Sequence, residues 1–504
     1  MSLLGLDVGT TGCKAVAFDL EGNVLASAYL EYPLLHPQPG WSELDSRGLW
    51  QKVTVLLQTV NRQVEADPVR ALSVSCQGEA VTAVDATGQP LCNFSVSFDL
   101  RTVQQSKWWR EHFGAERLFK ITGMPLHAMY SINKIMWYRQ NRPDMFAKAV
   151  KFLCVEDFVS FKLTGRYVID WSLAGRTMAF DVVNKRWSDE ILQAAGIDKN
   201  LLPEPCASSS VIGHVLPDLS RELGFQGEVV VAAGGHDQPC GALGAGIIEP
   251  GIAMKATGTS DAICPAFAKP ILSEKMLSGN YSCYPHVEPQ QYVSIAFNLT
   301  GGLLLRWYRD TLCGVETARA AESERDAYDI IVEEASDEIR SLFFLPHFVG
   351  SGTPYLDSGS RGALVGLTID TTRQDISKAV LDSTNYEMKL NIDKMNDAGL
   401  GIRQLRAVGG GARSRRWLQM KADTFEMPVC SMRTPEAASL GAAMLAGVSV
   451  GCFKNIRDAV EAMVHIERTY HPNKEQSRRY REKYLQYRRL YRCLRSFNHL
   501  ITEN

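Results

Sequence analysis

The chain opens on residues suited to phosphate chemistry. An apolar run enters Asp7-Val8-Gly9-Thr10-Thr11-Gly12-Cys13-Lys14 and leaves through Ala15-Val16-Ala17-Phe18. Asp7 is suited to holding a hydrated magnesium ion, Gly9 lets the backbone approach a ligand, and Thr10, Thr11 and Lys14 offer donors for phosphate oxygens. That set fits a nucleoside triphosphate. The same residues also read as an ordinary hairpin turn between two strands. A P-loop fits less well, because it needs G-x-x-x-x-G-K-[ST] opening a helix. Here Cys13 precedes the lysine, Ala15 follows it, and a strand continues.

Two further stretches carry similar chemistry. Met254 to Ile263 is a second strand-turn-strand, and its Gly258-Thr259-Ser260 echoes Gly9-Thr10-Thr11. Two glycine-hydroxyl hairpins, each opening about half the chain, suggest a diverged duplication in which each half supplies one phosphate loop. Later, Leu405 to Val408 runs into Gly409-Gly410-Gly411-Ala412-Arg413-Ser414 and a helix through Lys421. A strand entering a glycine-rich turn at a helix start gathers free N–H groups and the helix dipole, a good seat for a nucleotide. The spacing is not the G-x-G-x-x-G of dinucleotide folds.

The elements around these stretches alternate between strand and helix, an α/β pattern. The opening hairpin continues into a strand at Val24 to Tyr32, and Ala71 to Cys76 with Ala80 to Asp85 reads as another strand pair. A helix, Ser46 to Glu65, lies between them. Helices are expected over Gln104 to Phe119, Asn133 to Gln140, Cys154 to Leu163 with Gly165 as its stop, Leu303 to Thr311 and Thr372 to Asn396. Val229 to Ala233 is a short buried strand ending in Gly234-Gly235-His236-Asp237-Gln238. The tail from Lys474 to Leu500 spaces Tyr480, Tyr484, Tyr487 and Tyr491 for one helix face, which favours packing of a terminal helix over nucleic-acid binding.

At 504 residues the chain exceeds one typical domain, and two large domains are the natural division. A charged fraction of 22%, an apolar fraction of 45% and a formal net charge of -2 describe a globular chain with no global pull towards nucleic acid or membrane. Twelve cysteines are scattered with no C-x-x-C pair, so neither a metal site nor a disulfide frame is indicated and a reducing compartment is expected. The N-terminus shows no secretory pattern and no run reaches membrane-span length, which makes the cytoplasm the expected location.

Together these motifs resemble the FGGY family of carbohydrate kinases, which includes xylulokinase, glycerol kinase and gluconate kinase. The matches run in the family's order from Asp7 to about Gly447. Besides the two hairpins they include Pro39 to Asp45, Gly235 to Gln238, Gly301-Gly302, Gly409 to Ser414, and Pro435-Glu436-Ala437-Ala438-Ser439-Leu440-Gly441-Ala442-Ala443. The resemblance implies two ribonuclease-H-like domains, 1–246 and 247–504, with an interdomain cleft. Sugar would lie deep in that cleft and ATP mostly against the second domain.

By the same resemblance Asp237 is the general base, Asp7 helps hold magnesium through water, and Thr10, Thr11 and Lys14 meet the transferred phosphate. Gly258, Thr259 and Ser260 would cradle phosphates, Gly301 and Gly302 would let the nucleotide lie close, and Gly410, Gly411, Ala412 and Arg413 would meet the adenosine. For the acceptor, Gln77, Glu79, Asp99 and Gln238 join Asp237. Carboxylate and amide acceptors suit polyol hydroxyls, so a small neutral sugar is expected, a xylulose-like pentulose or a polyol, rather than a sugar acid. Gly78 stands where glycerol kinase carries an arginine and is expected to leave room for a larger acceptor. A glycerol or gluconate kinase remains open within the family, and an actin-like or chaperone-like ATPase outside sugar chemistry. Family members form dimers and tetramers, so a homodimer is expected, although no interface signature stands in the sequence.

Overall fold

The computed structural model describes residues 1–502. Its first half is built on a sheet of strands β1 (Ser2–Val8), β2 (Gly12–Phe18), β3 (Val24–Glu31), β4 (Val69–Cys76), β5 (Val211–His214) and β6 (Val230–His236), in the order β5-β6-β4-β1-β2-β3. β1 runs antiparallel to β2 and parallel to β4, which in turn lies parallel to β6. β1 is apolar at successive positions because both its faces are covered. Leu4, Leu6 and Val8 share a core with Val53 and Leu57 of the helix Ser46–Gln63, whereas Leu3 packs with Leu440, Ala443 and Met444. Alternate side chains of a strand point to opposite faces.

The second half repeats the scheme with β7 (Ile252–Thr257), β8 (Asp261–Phe267), β9 (Tyr284–Pro285), β10 (Tyr292–Val293), β11 (Ala296–Asn298), β12 (Gln404–Val408), β13 (Val429–Met432) and β14 (Ile466–Tyr470). The order is β9-β10-β8-β7-β12-β13-β14, with β11 also on β8. β7 is antiparallel to β8 and parallel to β12, the same relations that β1 has with β2 and β4. The duplication suggested by two short loops therefore extends to whole ribonuclease-H-like sheets.

The two halves are joined through their helices. Helix Ala437–Ser449 is apolar on nearly all sides and packs against β1, β4 and β6 of the opposite half as well as against helix Asp237–Gly244. A helix buried all round must be hydrophobic all round. The crossing is close: a Cβ added at Gly441 would lie 2.0 Å from the Cys240 carbonyl oxygen.

Several expectations need correcting. Ala71–Cys76 and Ala80–Asp85 do not pair with each other: β4 lies between β1 and β6, and Thr82–Val84 pairs with Lys151–Leu153. Glu79, in the left-handed region at φ 64°, turns the chain away after β4. The helix expected over Gln104 to Phe119 is two, Val103–His112 and Ala115–Thr122, interrupted at Gly114. As expected, Gly165 closes Val155–Thr164 in the left-handed conformation. The tail forms helix Lys474–Thr502, whose four tyrosines are buried against Tyr386 and its neighbours, so their spacing serves packing. Among the described residues no helix is long and apolar enough to cross a membrane.

Candidate active site

Three neighbouring strands of the first sheet end on one register row. Val8 pairs with Cys76, and Cys76 with His236. Each strand then releases a functional segment from the same edge: the hairpin Gly9–Gly12, the segment Gln77-Gly78-Glu79, and Asp237 at the start of helix Asp237–Gly244. Parallel strands deliver their C-terminal loops to one side, which is why residues far apart in sequence meet here.

Asp237 lines a pocket of about 230 Å³ together with Asp7, Gln238 and Glu436. Its side chain is 30% exposed. Burial first, then the charges of Asp7 and Glu79, push its carboxyl up to about 7. The Asp7 carboxyl accepts a hydrogen bond from Ser75 Oγ at 2.8 Å and is pushed up to about 6, mainly by burial. Lys14, expected on the transferred phosphate, forms a 2.8 Å ion pair with Glu436 of the second half. Three carboxylates thus surround one pocket with a single lysine, and the buried Gln238 Oε1 has no hydrogen-bond partner among the described residues. Such an excess of acceptors suits a hydrated divalent cation. Among the described residues no group of three or more His, Cys, Asp or Glu could hold a metal directly, so the fit is to an ion held through its water.

Beyond β4 Glu79 is buried, and its carboxylate receives Arg176 Nε at 2.6 Å and a second contact from the same guanidinium. Arg176 lies over the rings of Tyr130 and Tyr284. The Glu79 carbonyl accepts from the buried Lys134 Nζ at 2.7 Å and from Ser131 Oγ at 3.0 Å. These bonds hold Glu79 in its left-handed conformation. The space beside Gly78 is not vacant, contrary to expectation: a Cβ there would meet His236 Nε2 at 2.8 Å and Arg176 Nε at 3.6 Å.

Two residues expected on the acceptor are engaged elsewhere. Gln77 takes a hydrogen bond from Thr10 Oγ1 at 3.3 Å and gives one to the Gly9 carbonyl at 3.1 Å, so its carboxamide braces the phosphate hairpin. Asp99 is buried with both oxygens occupied, by Ser42 N at 2.8 Å and by Arg101 through its backbone and guanidinium. Arg101 stacks on Trp41 at 3.8 Å and also reaches Glu43. Asp99 therefore ties down the Pro39 to Asp45 segment, and this saturation leaves it no lone pair directed to a sugar hydroxyl.

Gly258, Thr259 and Ser260 are exposed at the tip of the β7–β8 hairpin. Gly301 and Gly302 sit directly on that tip, with Gly302 N donating to the Gly258 carbonyl at 2.7 Å and Gly301 N to the Thr259 carbonyl at 2.9 Å. A cavity of about 300 Å³ opens beside it, bordered by Gly258, Thr259, Gly302, Gly410, Gly411 and Arg413, with Tyr328, Val332 and Trp417 adding an apolar wall. Ala412 faces a separate groove behind the loop. Beneath the cavity, the buried Lys421 Nζ reaches Thr257 Oγ1 at 3.3 Å and the Gly411 carbonyl at 3.2 Å. Lys255, equally buried, joins Thr257 Oγ1 at 3.0 Å and Asp261 at 2.6 Å. Burial, followed by the charge of Lys255, lowers Lys421 to about 7. An apolar cavity edged by donors suits a nucleotide.

Arg176, Lys421, Tyr328 and Glu436 were not singled out by sequence. Of these, only Glu436 stood inside a recognised motif. Lys421 lies on the helix that the glycine-rich turn opens, and Arg176 and Tyr328 stand in segments with no local signature, brought in only by packing.

The N-terminal domain of the FGGY family of carbohydrate kinases matches residues 2–244 and its C-terminal domain residues 253–450. The chain is 27% identical to xylulose kinase of Bacillus subtilis over 498 residues, covering 98% of each. It is 29% identical to glycerol kinase of Thermococcus gammatolerans over 497 residues, 95% of this chain and 94% of that one. The crystal structure of ligand-bound xylulose kinase from Lactobacillus acidophilus superposes with a TM-score of 0.89 at 24% identity, covering 98% of both chains, a likeness of fold.

Proposed function

The chain belongs to the FGGY family of carbohydrate kinases, and within that activity we propose that it moves the γ-phosphoryl group of ATP to a hydroxyl of a small neutral sugar, a xylulose-like pentulose or a polyol, with Asp237 as general base. The observation that supports this reading is the register row Val8–Cys76–His236, which sets the Gly9–Gly12 hairpin, the Gln77-Gly78-Glu79 segment and Asp237 side by side. Transfer of a phosphoryl group asks mainly for alignment and charge neutralisation. Asp237 would take the hydroxyl proton as the oxygen attacks the γ-phosphorus and the bond to the β,γ-bridging oxygen breaks. A base near neutrality can both accept and return a proton at physiological pH, and the position of Asp237 suits that.

Thr10, Thr11 and Lys14 would meet the phosphates from one half, Gly258, Thr259 and Ser260 from the other, and the adenosine would fill the cavity by Trp417. Asp7, with Gln238 and Glu436 near it, would hold a magnesium ion through water, which when bound neutralises phosphate charge. Glu79 and Arg176 neutralise each other, which supports an uncharged sugar over a sugar acid. Cytoplasmic residence and a homodimer belong to the same reading, carried by the family resemblance.

The test is ADP release with a panel of pentuloses, polyols and aldonic acids, run beside Asp237→Asn. A neutral ketose or polyol should stimulate turnover, and Asp237→Asn should lower it at least ~100-fold with ATP binding retained. If no acceptor stimulates turnover, the actin-like or chaperone-like ATPase is the better reading.

A further inference from the structure

Resting on the assignment of Asp237 as base, we propose that His236 is a positioning residue that orients the Asp237 carboxylate through its contact with Oδ1, with Tyr284 fixing the imidazole for that task.

His236 Nε2 lies 3.2 Å from Asp237 Oδ1, and His236 Nδ1 lies 3.0 Å from the Tyr284 hydroxyl. The ring is buried and its backbone is anchored, because His236 N donates to Ser172 Oγ at 3.0 Å. Burial keeps the Tyr284 hydroxyl protonated. In the proposed arrangement the Tyr284 hydroxyl donates to Nδ1 and Nε2–H is directed at Oδ1. The proton released as the acceptor oxygen bonds to the γ-phosphorus goes to the Asp237 carboxylate, and it leaves to solvent after ADP departs. No redox partner is involved.

The same geometry explains Gly78. Any side chain there would collide with Nε2, at 2.8 Å from a Cβ. The glycine is thus fitted to the imidazole rather than to a bulky sugar.

The experiment measures kcat, both KM values and thermal midpoint for His236→Leu, His236→Gln, Tyr284→Phe and Gly78→Ala, beside Asp237→Asn. The carboxamide of Gln puts an N–H near the place of Nε2. His236→Leu should lose about 10–100-fold in kcat with the KM for ATP within about twofold, and His236→Gln should recover most of it. Gly78→Ala should behave like His236→Leu, and Tyr284→Phe should lose less. A folded His236→Leu with wild-type kcat, or a folded His236→Gln as impaired as the leucine variant, would overturn the proposal. Should the leucine variant fail to fold, an unchanged kcat in both Tyr284→Phe and Gly78→Ala overturns it equally. Retained turnover in Asp237→Asn would instead remove the base assignment itself.

Discussion

Arg176 shows how a residue with no motif of its own can hold a candidate site residue. It reaches Glu79 from the end of a short helix and lies over the rings of Tyr130 and Tyr284. Removing one partner of a buried ion pair strands the other, at a cost of about 3 kcal/mol. Arg176→Met should therefore lower the thermal midpoint and raise the acceptor KM at least about 10-fold, leaving the KM for ATP near wild type. Glu79→Gln, which keeps the shape and one acceptor, should affect the acceptor KM in the same direction. Equal changes in both KM values would place the pair outside the acceptor site. Asp99 and Gln77 teach the converse lesson. Their residue types suit sugar hydroxyls, but each is saturated by local structure, Asp99 by Arg101 and Ser42 and Gln77 by the phosphate hairpin.

At the scale of elements, a staple ties the second half's loops together. Lys421, on helix Arg415–Phe425, bonds Thr257 at the end of β7 and Gly411 in the turn after β12, so that one buried amine links the two loops proposed to meet the nucleotide. Lys421→Met fills a similar volume without the bonds. It should raise the KM for ATP about 10-fold while sparing the acceptor KM, a comparison that initial-rate kinetics settles. An unchanged KM for ATP would mean that the two loops hold their places by packing alone. The hairpin Gly9–Gly12 was legible in sequence because turn chemistry is local. Its strand partners were not: the Ala80 to Asp85 segment alternates like a strand beside β4, but Glu79 redirects it to pair with Lys151–Leu153.

The whole molecule carries buried acids beneath its first sheet. Glu156, Asp157 and Asp170 are fully buried; Glu156 accepts the Gly234 N–H at 2.8 Å, and Asp170 caps the helix that carries Ser172. These bonds tether the strand that ends on His236. Burial pushes Asp157 from 3.8 up to about 8. The unfolded chain releases that proton near pH 4 and the folded chain near pH 8, so this group's contribution to stability is full below pH 4 and is lost as pH rises through that window. Asp157→Asn keeps an acceptor for the Cys154 N–H and removes the titration. The variant's thermal midpoint should gain on wild type between pH 5 and pH 8 by at least about 2 °C; a gap independent of pH would show that Asp157 ionises normally. Taken alone, the sequence determined the chemistry's vocabulary and the class of fold: two glycine-hydroxyl loops, the aspartate after a buried strand, a helix start rich in glycine, and alternating strands and helices. These are local patterns, and local patterns survive in a linear reading. Tertiary structure alone decided which side chains share the cleft: that Arg176 answers Glu79, that Lys14 meets Glu436, that His236 fills the space of Gly78, and that helix Ala437–Ser449 covers the other half's sheet. Lys14 and Glu436 alone lie 422 positions apart, and only sheet register and packing bring such residues together.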